Sequence, residues 1–383
     1  MIKKLQVKNF TSLKDAEIEL GQRNVLVGPN MSGKSNVIGC LRFLTHMTLV
    51  GLNKAVLDRG GFPEIVWKGG DESRVSFHLT IESSDKKIYD YEITILGSAS
   101  GAISVEKERL IVQTGSRTSA LIDLENGRGK VLHADGKTVF DSQALSRSQS
   151  ALEFPVPGWE GTAVKQSVAS WRFYQLIPAI MRQVNQMVDT QFLTPPYGEN
   201  LSQWFMKLKN VHDSEFRKIV QVARDVLPDV EELLIQPTQA GTAFMVSREK
   251  HLKRPVTLWQ MSDGELVFLA LLSLIFAPPE LGAPLYCLEE VENHLHPKML
   301  EILMDVLTQQ QLALGPRAAQ IIATTHSPHL VDRVALDELI VVEKKQGATY
   351  CVRPKDKPHL KELLEKEDVG LGDLWYSGSL SSN

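Results

Sequence analysis

The sequence predicts an α/β fold: a head whose central layer draws on both ends of the chain, an antiparallel β subdomain, and an inserted, mainly helical lobe. Three observations predict it. A strand, a glycine-containing loop and a helix follow one another over residues 24–44. Apolar residues then alternate with polar ones through 73–140, and from Thr257 onward buried strands alternate with helices.

The elements justify themselves in order. Leu5 and Val7, then Ala16, Ile18 and Leu20, recur at period two on either side of the polar stretch at Thr11 and Ser12, as a strand pair would. Asn24 to Val27 is a short strand running into a loop, after which Val37, Cys40, Leu41 and Leu44 return at helical spacing. Val75, Phe77, Leu79 and Ile81 alternate, turn at Ser83-Ser84-Asp85, and are answered by Tyr89, Tyr91, Ile93 and Ile95. Residues 141–160 have loop composition. Helical spacing dominates 165–227, broken at Pro178 and at Pro195-Pro196, without a sustained heptad. The expected domains are 1–72 (first part of the head), 73–140 (β subdomain), 141–245 (helical lobe) and 246–383 (second part of the head).

Composition narrows the class. The chain has 383 residues, 43% apolar and 23% charged, which suits a soluble globular protein of about two to three domains. A net charge of −4 argues against a uniformly polyanion-coated surface. Cys40, Cys287 and Cys351 are too few and too scattered for a disulfide framework or a zinc site, and suit a reducing compartment. The N-terminal stretch lacks an apolar signal core, and the longest apolar run, Leu266 to Phe276, falls short of the roughly 20 residues that span a bilayer. A cytoplasmic location with no membrane partner is expected.

Four motifs carry the chemistry. Residues 28–35 read GPNMSGKS, a complete G-x-x-x-x-G-K-[ST] phosphate loop between strand and helix. Its N–H groups, with Asn30, Ser32, Gly33 and Asn36 around them, can surround nucleotide phosphates. Lys34 can reach the β and γ oxygens, and the Ser35 hydroxyl can ligate Mg²⁺. Leu285 to Glu290 is an apolar strand ending in two acids, a Walker B element. Adjacent residues on a strand face opposite ways, so Glu289 is assigned to the metal and Glu290 to the attacking water. Ser262, Asp263, Gly264 and Glu265 open an apolar helix, with Ser262 as N-cap and Glu265 as its capping-box partner. Such an exposed helix start can also bind the γ-phosphate of a nucleotide held by another subunit. His326 ends a buried strand and is placed to contact the γ-phosphate or the water. His294 and His296 lack a third ligand at metal spacing.

These motifs stand in the order phosphate loop, signature, Walker B, histidine, with more than half the chain between the first two. The arrangement resembles the ABC-class ATPases of the SMC and RecF type, and the stand-alone bacterial ATPases related to the head of OLD family nucleases. The likeness extends over KNFTSLKDAEIEL, RGGFPEIVWKGG, MSDGE, LEEVENHLHP, ATTHSPHL and GLGDLWYSGSL. It implies a P-loop ABC-type head and a Mg-dependent ATP hydrolase. It further implies an ATP-sandwich homodimer, or higher oligomer, in which Ser262 and Gly264 of one subunit meet the nucleotide of the other. A role in DNA repair or phage defence follows from the same likeness, with DNA or a separately encoded nuclease or toxin effector as partner. A Toprim nuclease domain of the OLD kind is not expected within this chain. Met31 stands where a glycine is common, Thr11 where a basic residue is, Glu289 in place of aspartate and Val291 in place of proline.

Two other classes are weighed. A transporter's nucleotide-binding subunit would carry a shorter insertion and an LSGGQ-like signature. A regulatory ATP sensor with little hydrolysis conflicts with intact Lys34, Ser35 and Glu290. The cationic run Arg248, Lys250, His251, Lys253 and Arg254 offers DNA some support, although a solvated loop explains it better.

Overall fold

The computed structural model describes residues 1–98, 101–141, 146–154, 156–183, 190, 192–238, 242–354 and 370–376. Residues 142–145 and Pro155 of the expected loop, and 377–380 of the terminal motif, lie outside them.

Three sheets organise the chain. The first is antiparallel and eight-stranded, built from β1 (Ile2–Phe10), β2 (Leu13–Glu19), β4 (Arg74–Glu82), β5 (Ile88–Gly97), β6 (Ile103–Thr114), β7 (Arg117–Glu125), β8 (Arg128–Leu132) and β9 (Thr138–Asp141). β1 sits between β2 and β4, with Leu5 opposite Leu79 and Val7 opposite Phe77. The N-terminal hairpin and the strands of 74–141 are thus one sheet, and residue 72 marks no break in it. Phe10, Phe43 and Phe77 pack together between this sheet and the helix Lys34–Val50, with ring centroids 5.3–5.6 Å apart.

The second sheet is the head. It takes β3 (Arg23–Val27), β10 (Arg172–Tyr174), β14 (Leu285–Leu288), β15 (Gln320–Thr325), β16 (Leu339–Lys345) and β17 (Ala348–Val352), in the order β10-β14-β15-β3-β16-β17. All pairs are parallel except the closing hairpin β16–β17. Both faces are covered, so its strands read as continuous apolar runs. The period-two geometry then divides their side chains between two cores. Leu26, Leu285, Cys287, Ile322 and Ile340 join the core shared with the helix Lys34–Val50 and the eight-stranded sheet. Val25, Val27, Tyr286, Ile321, Ala323 and Val341 join the core of the lobe and of helix Asp263–Ile275.

The region expected as a mainly helical lobe holds the helices Leu201–Val211 and Asp213–Val226. It also holds strands the sequence reading lacks. β10 leaves the lobe to pair with β14. β11 (Val230–Pro237) and β12 (Ala243–Glu249) form, with β13 (Val256–Thr257), a third, antiparallel sheet. This α/β architecture is that of the predicted ABC-type head. Among the described residues, no helix is long and apolar enough to cross a membrane.

Candidate functional site

The phosphate loop joins β3 to the helix Lys34–Val50, and its glycines are required by contact. A Cβ on Gly28 would fall 2.1 Å from the Val342 carbonyl oxygen, and one on Gly33, at φ 108°, would fall 2.0 Å from Thr349 Oγ1. Lys34 is buried, its ammonium donating to the carbonyls of Gly28 at 2.8 Å and Pro29 at 3.0 Å. Burial pushes its pKa down, while Glu290 and Glu292 pull it back up. The Ser32 hydroxyl is buried without a partner among the described residues, and Ser35 is exposed. Met31 is 85% exposed at φ 65°, a left-handed conformation that explains why glycine is common there. Met31→Gly is therefore expected to raise stability by about 1 kcal/mol, read as a shift in the denaturant midpoint at constant slope. An unchanged midpoint would show that the loop carries no such strain.

The acids and the histidine meet where β14 and β15 end. Glu290, at φ 51°, donates its backbone N–H to Thr324 Oγ1 at 2.9 Å, and Asn293 Nδ2 donates to its Oε2 at 2.6 Å. His326 is half-buried, and burial together with the Lys34 charge holds its ring below the usual value, against the pull of Glu292 and Glu290. The neutral form of the ring is thereby favoured. Glu289 Oε1 pairs with Arg42 Nη2 at 2.6 Å. Its Oε2 makes no hydrogen bond among the described residues.

The signature opens a different element, the helix Asp263–Ile275. Ser262 caps the helix Asp263–Ile275, accepting from Glu265 N at 3.2 Å while Glu265 Oε2 accepts from Ser262 N at 2.6 Å, so the predicted capping box is formed. Asp263 pairs with Arg182 at 2.7 Å and with His294 at 3.6 Å. Gly264 is needed because a Cβ there would sit 2.7 Å from the His294 carbonyl oxygen. Ser262 and Asp263 are exposed.

Comparison with known proteins identifies the framework. Residues 23–332 match the AAA_21 family, described as "AAA domain, putative AbiEii toxin, Type IV TA system". The chain belongs to the AAA_21 family. A Septu protein PtuA from Bacillus thuringiensis is 38% identical over 73 residues, 18% of this chain and 16% of that protein. A "Retron Vc95 probable ATPase" from Vibrio cholerae serotype O1 biovar El Tor is 23% identical over 185 residues, 44% of this chain and 34% of the relative. The aligned parts thus span about a third or less of those relatives. Among solved structures, an Smc head domain with an extended coiled coil, bound to the C-terminal domain of ScpA from Pyrococcus furiosus, is 13% identical with a TM-score of 0.55. The match covers 95% of this chain and 99% of that one. An SmcHead bound to the C-winged helix domain of ScpA is 15% identical with a TM-score of 0.54, covering 92% and 96%. These likenesses show that the chain shares the fold of SMC heads, and the family match places an AAA domain over residues 23–332.

Several residues that serve this AAA_21 site carry no motif signal of their own. Thr349, on the closing hairpin, donates to the Ser32 carbonyl at 2.9 Å and shares a 2.6 Å hydrogen bond with Ser12, which in turn accepts from Asn36. The hairpin and the β1–β2 turn thereby brace the phosphate loop from two sides. Thr11 has φ 51° and a buried hydroxyl with no hydrogen-bond partner among the described residues. Arg42 reaches Glu289 and stacks 5.4 Å from the Phe173 ring. Part of the terminal motif docks beyond the histidine: Gly372 N donates to Asp332 Oδ1 at 2.7 Å, where a Cβ would strike the Pro328 carbonyl at 2.5 Å. Of the cationic run, Arg248 pairs with Glu232 at 3.1 Å and Lys250 donates to the Pro228 carbonyl.

Proposed function

We propose that this chain is a Mg-dependent ATP hydrolase that works as an ATP-driven dimeric switch, passing its state to a separate effector or to DNA in phage defence or DNA repair. The observation that supports it is the division of the site. Lys34, Glu290, Glu292 and His326 gather at one place, while Ser262 and Gly264 stand at an exposed helix start paired with other residues. A nucleotide bound by one copy is completed by the signature of a second.

The chain's own residues divide the reaction. Lys34 turns from the Gly28 and Pro29 carbonyls to the β and γ phosphates, with Asn30, Ser32, Gly33 and Asn36 around them. Glu290, steadied by Asn293, takes a proton from the water whose oxygen bonds to the γ-phosphorus as the β–γ bridging P–O bond breaks and ADP leaves. Neutral His326 donates to the γ-phosphate or holds the water. Mg²⁺ would be held by the exposed Ser35 hydroxyl and the free oxygen of Glu289, and would neutralise charge on the phosphates. The donor set fits that ion. Ser262, Gly264 and Glu265 of the second copy close over the γ-phosphate.

Ser262→Arg tests the division, because the bulky cation blocks the approach of the signature without touching the phosphate loop. Expected are unchanged ATP affinity, loss of hydrolysis by tenfold or more, and no ATP-dependent gain in mass by light scattering. Wild-type hydrolysis in this variant would reduce the SDGE segment to a helix cap.

A further inference from the structure

Glu292 is a third acid beside the nucleotide residues, and its two oxygens are used unequally. It lies in the turn between β14 and the helix Pro297–Leu314. Its Oε1 accepts the backbone N–H of His326 at the tip of β15, 34 residues further along the chain. Its Oε2 is buried with no hydrogen-bond partner among the described residues. Leaving such an oxygen unpaired is costly, the more so on a charged group, so a fold retains it only for a compensating contact.

The surroundings supply that compensation. Lys34 contributes a positive charge felt by the same cluster, and its ammonium is otherwise bonded to two neutral carbonyls. The Glu292 carboxylate thus stands in the field of the lysine that reads the phosphates and holds the backbone of the histidine expected to sense the γ-phosphate. Glu290 and Glu289 do not duplicate this contact. Glu290 is taken by Asn293 and Glu289 by Arg42. From this geometry we infer that Glu292 is a positioning residue for His326, fixing the tip of β15 against the turn that carries the acids. The inference rests on the reading of His326 as part of the hydrolytic site.

A hydrogen-bond anchor has a distinct signature among variants. Glu292→Met keeps the length and loses the acceptor; it is expected to lower kcat tenfold or more while leaving KM for ATP within twofold. Glu292→Gln keeps an acceptor for the His326 N–H and is expected to stay within threefold of wild type. Because the anchor acts through His326, adding Glu292→Met to His326→Ala is expected to slow hydrolysis no further than His326→Ala alone. Should the methionine variant fail to fold, Glu292→Ala carries the same expectations. Any of three results overturns the proposal: wild-type kcat in Glu292→Met, a glutamine variant as slow as the methionine one, or additive losses with His326→Ala. Lys34→Ala run alongside separates the two levels of the argument. Retained turnover in that variant would refute the nucleotide site itself rather than the anchor.

Discussion

Glu290→Gln is expected to hydrolyse ATP about a hundredfold or more slowly than the wild type while binding Mg·ATP at least as well. Glutamine keeps the shape of the side chain and its contact with Asn293, which donates to Oε2 at 2.6 Å, and removes only the base. The nucleotide then stays in place. In the proposed sandwich it offers γ-phosphate contacts to two copies, so the variant should accumulate as a dimer in ATP and return to its nucleotide-free state in ADP, by linkage of ligand to assembly. Light scattering after size exclusion reads this directly. An oligomeric state that is the same in ATP and ADP would contradict the sandwich, unless the copies are held together elsewhere. A crosslink engineered between the phosphate loop and the signature of opposite subunits, forming only with ATP, decides that case.

Lys34→Ala is expected to abolish both ATP binding and turnover. The ammonium is the charge placed to neutralise the β and γ phosphates, and charge-assisted contacts of this kind are the strong ones. Burial already disfavours the cation, with Glu290 and Glu292 opposing that shift, so the phosphates meet a charge that is poorly solvated. Equilibrium titration with a fluorescent ATP analogue gives the answer, and affinity within a fewfold of wild type would remove the phosphate-loop assignment. The folded state should survive, because the two hydrogen bonds lost from Lys34 go only to the Gly28 and Pro29 carbonyls of its own loop.

Much of this was legible in the residues because local rules act over a few positions. The alternation in Val75 to Ile81 and in Tyr89 to Ile95 became β4 and β5, the apolar run before Glu289 became β14, and SDGE became a helix cap with both of its hydrogen bonds. The missing parts share a physical cause. β10 is three residues long and is a strand only because β14 lies beside it. β11 carries Glu231 and Glu232 within its short alternation and pairs with a strand across a turn, so its pattern is weak until β12 is in place. Glu292, Arg42 and Thr349 act through partners 34, 247 and 317 residues away, contacts that no spacing in the chain encodes. Their roles come from tertiary geometry alone.

The order of strands in the head has a consequence for how the protein is made. β3, the strand that leads into the phosphate loop, is flanked by β15 and β16. Both neighbours emerge from the ribosome about three hundred residues later, tens of seconds at ordinary translation rates. Until then β3 presents two open edges, a template for mispairing with other chains. The eight-stranded sheet uses only residues 2–141 and can form early, shielding one side of the nascent strand. The chain therefore completes this sheet only after β15 and β16 have been made, and a product truncated before β14 keeps the phosphate loop without Glu289 and Glu290.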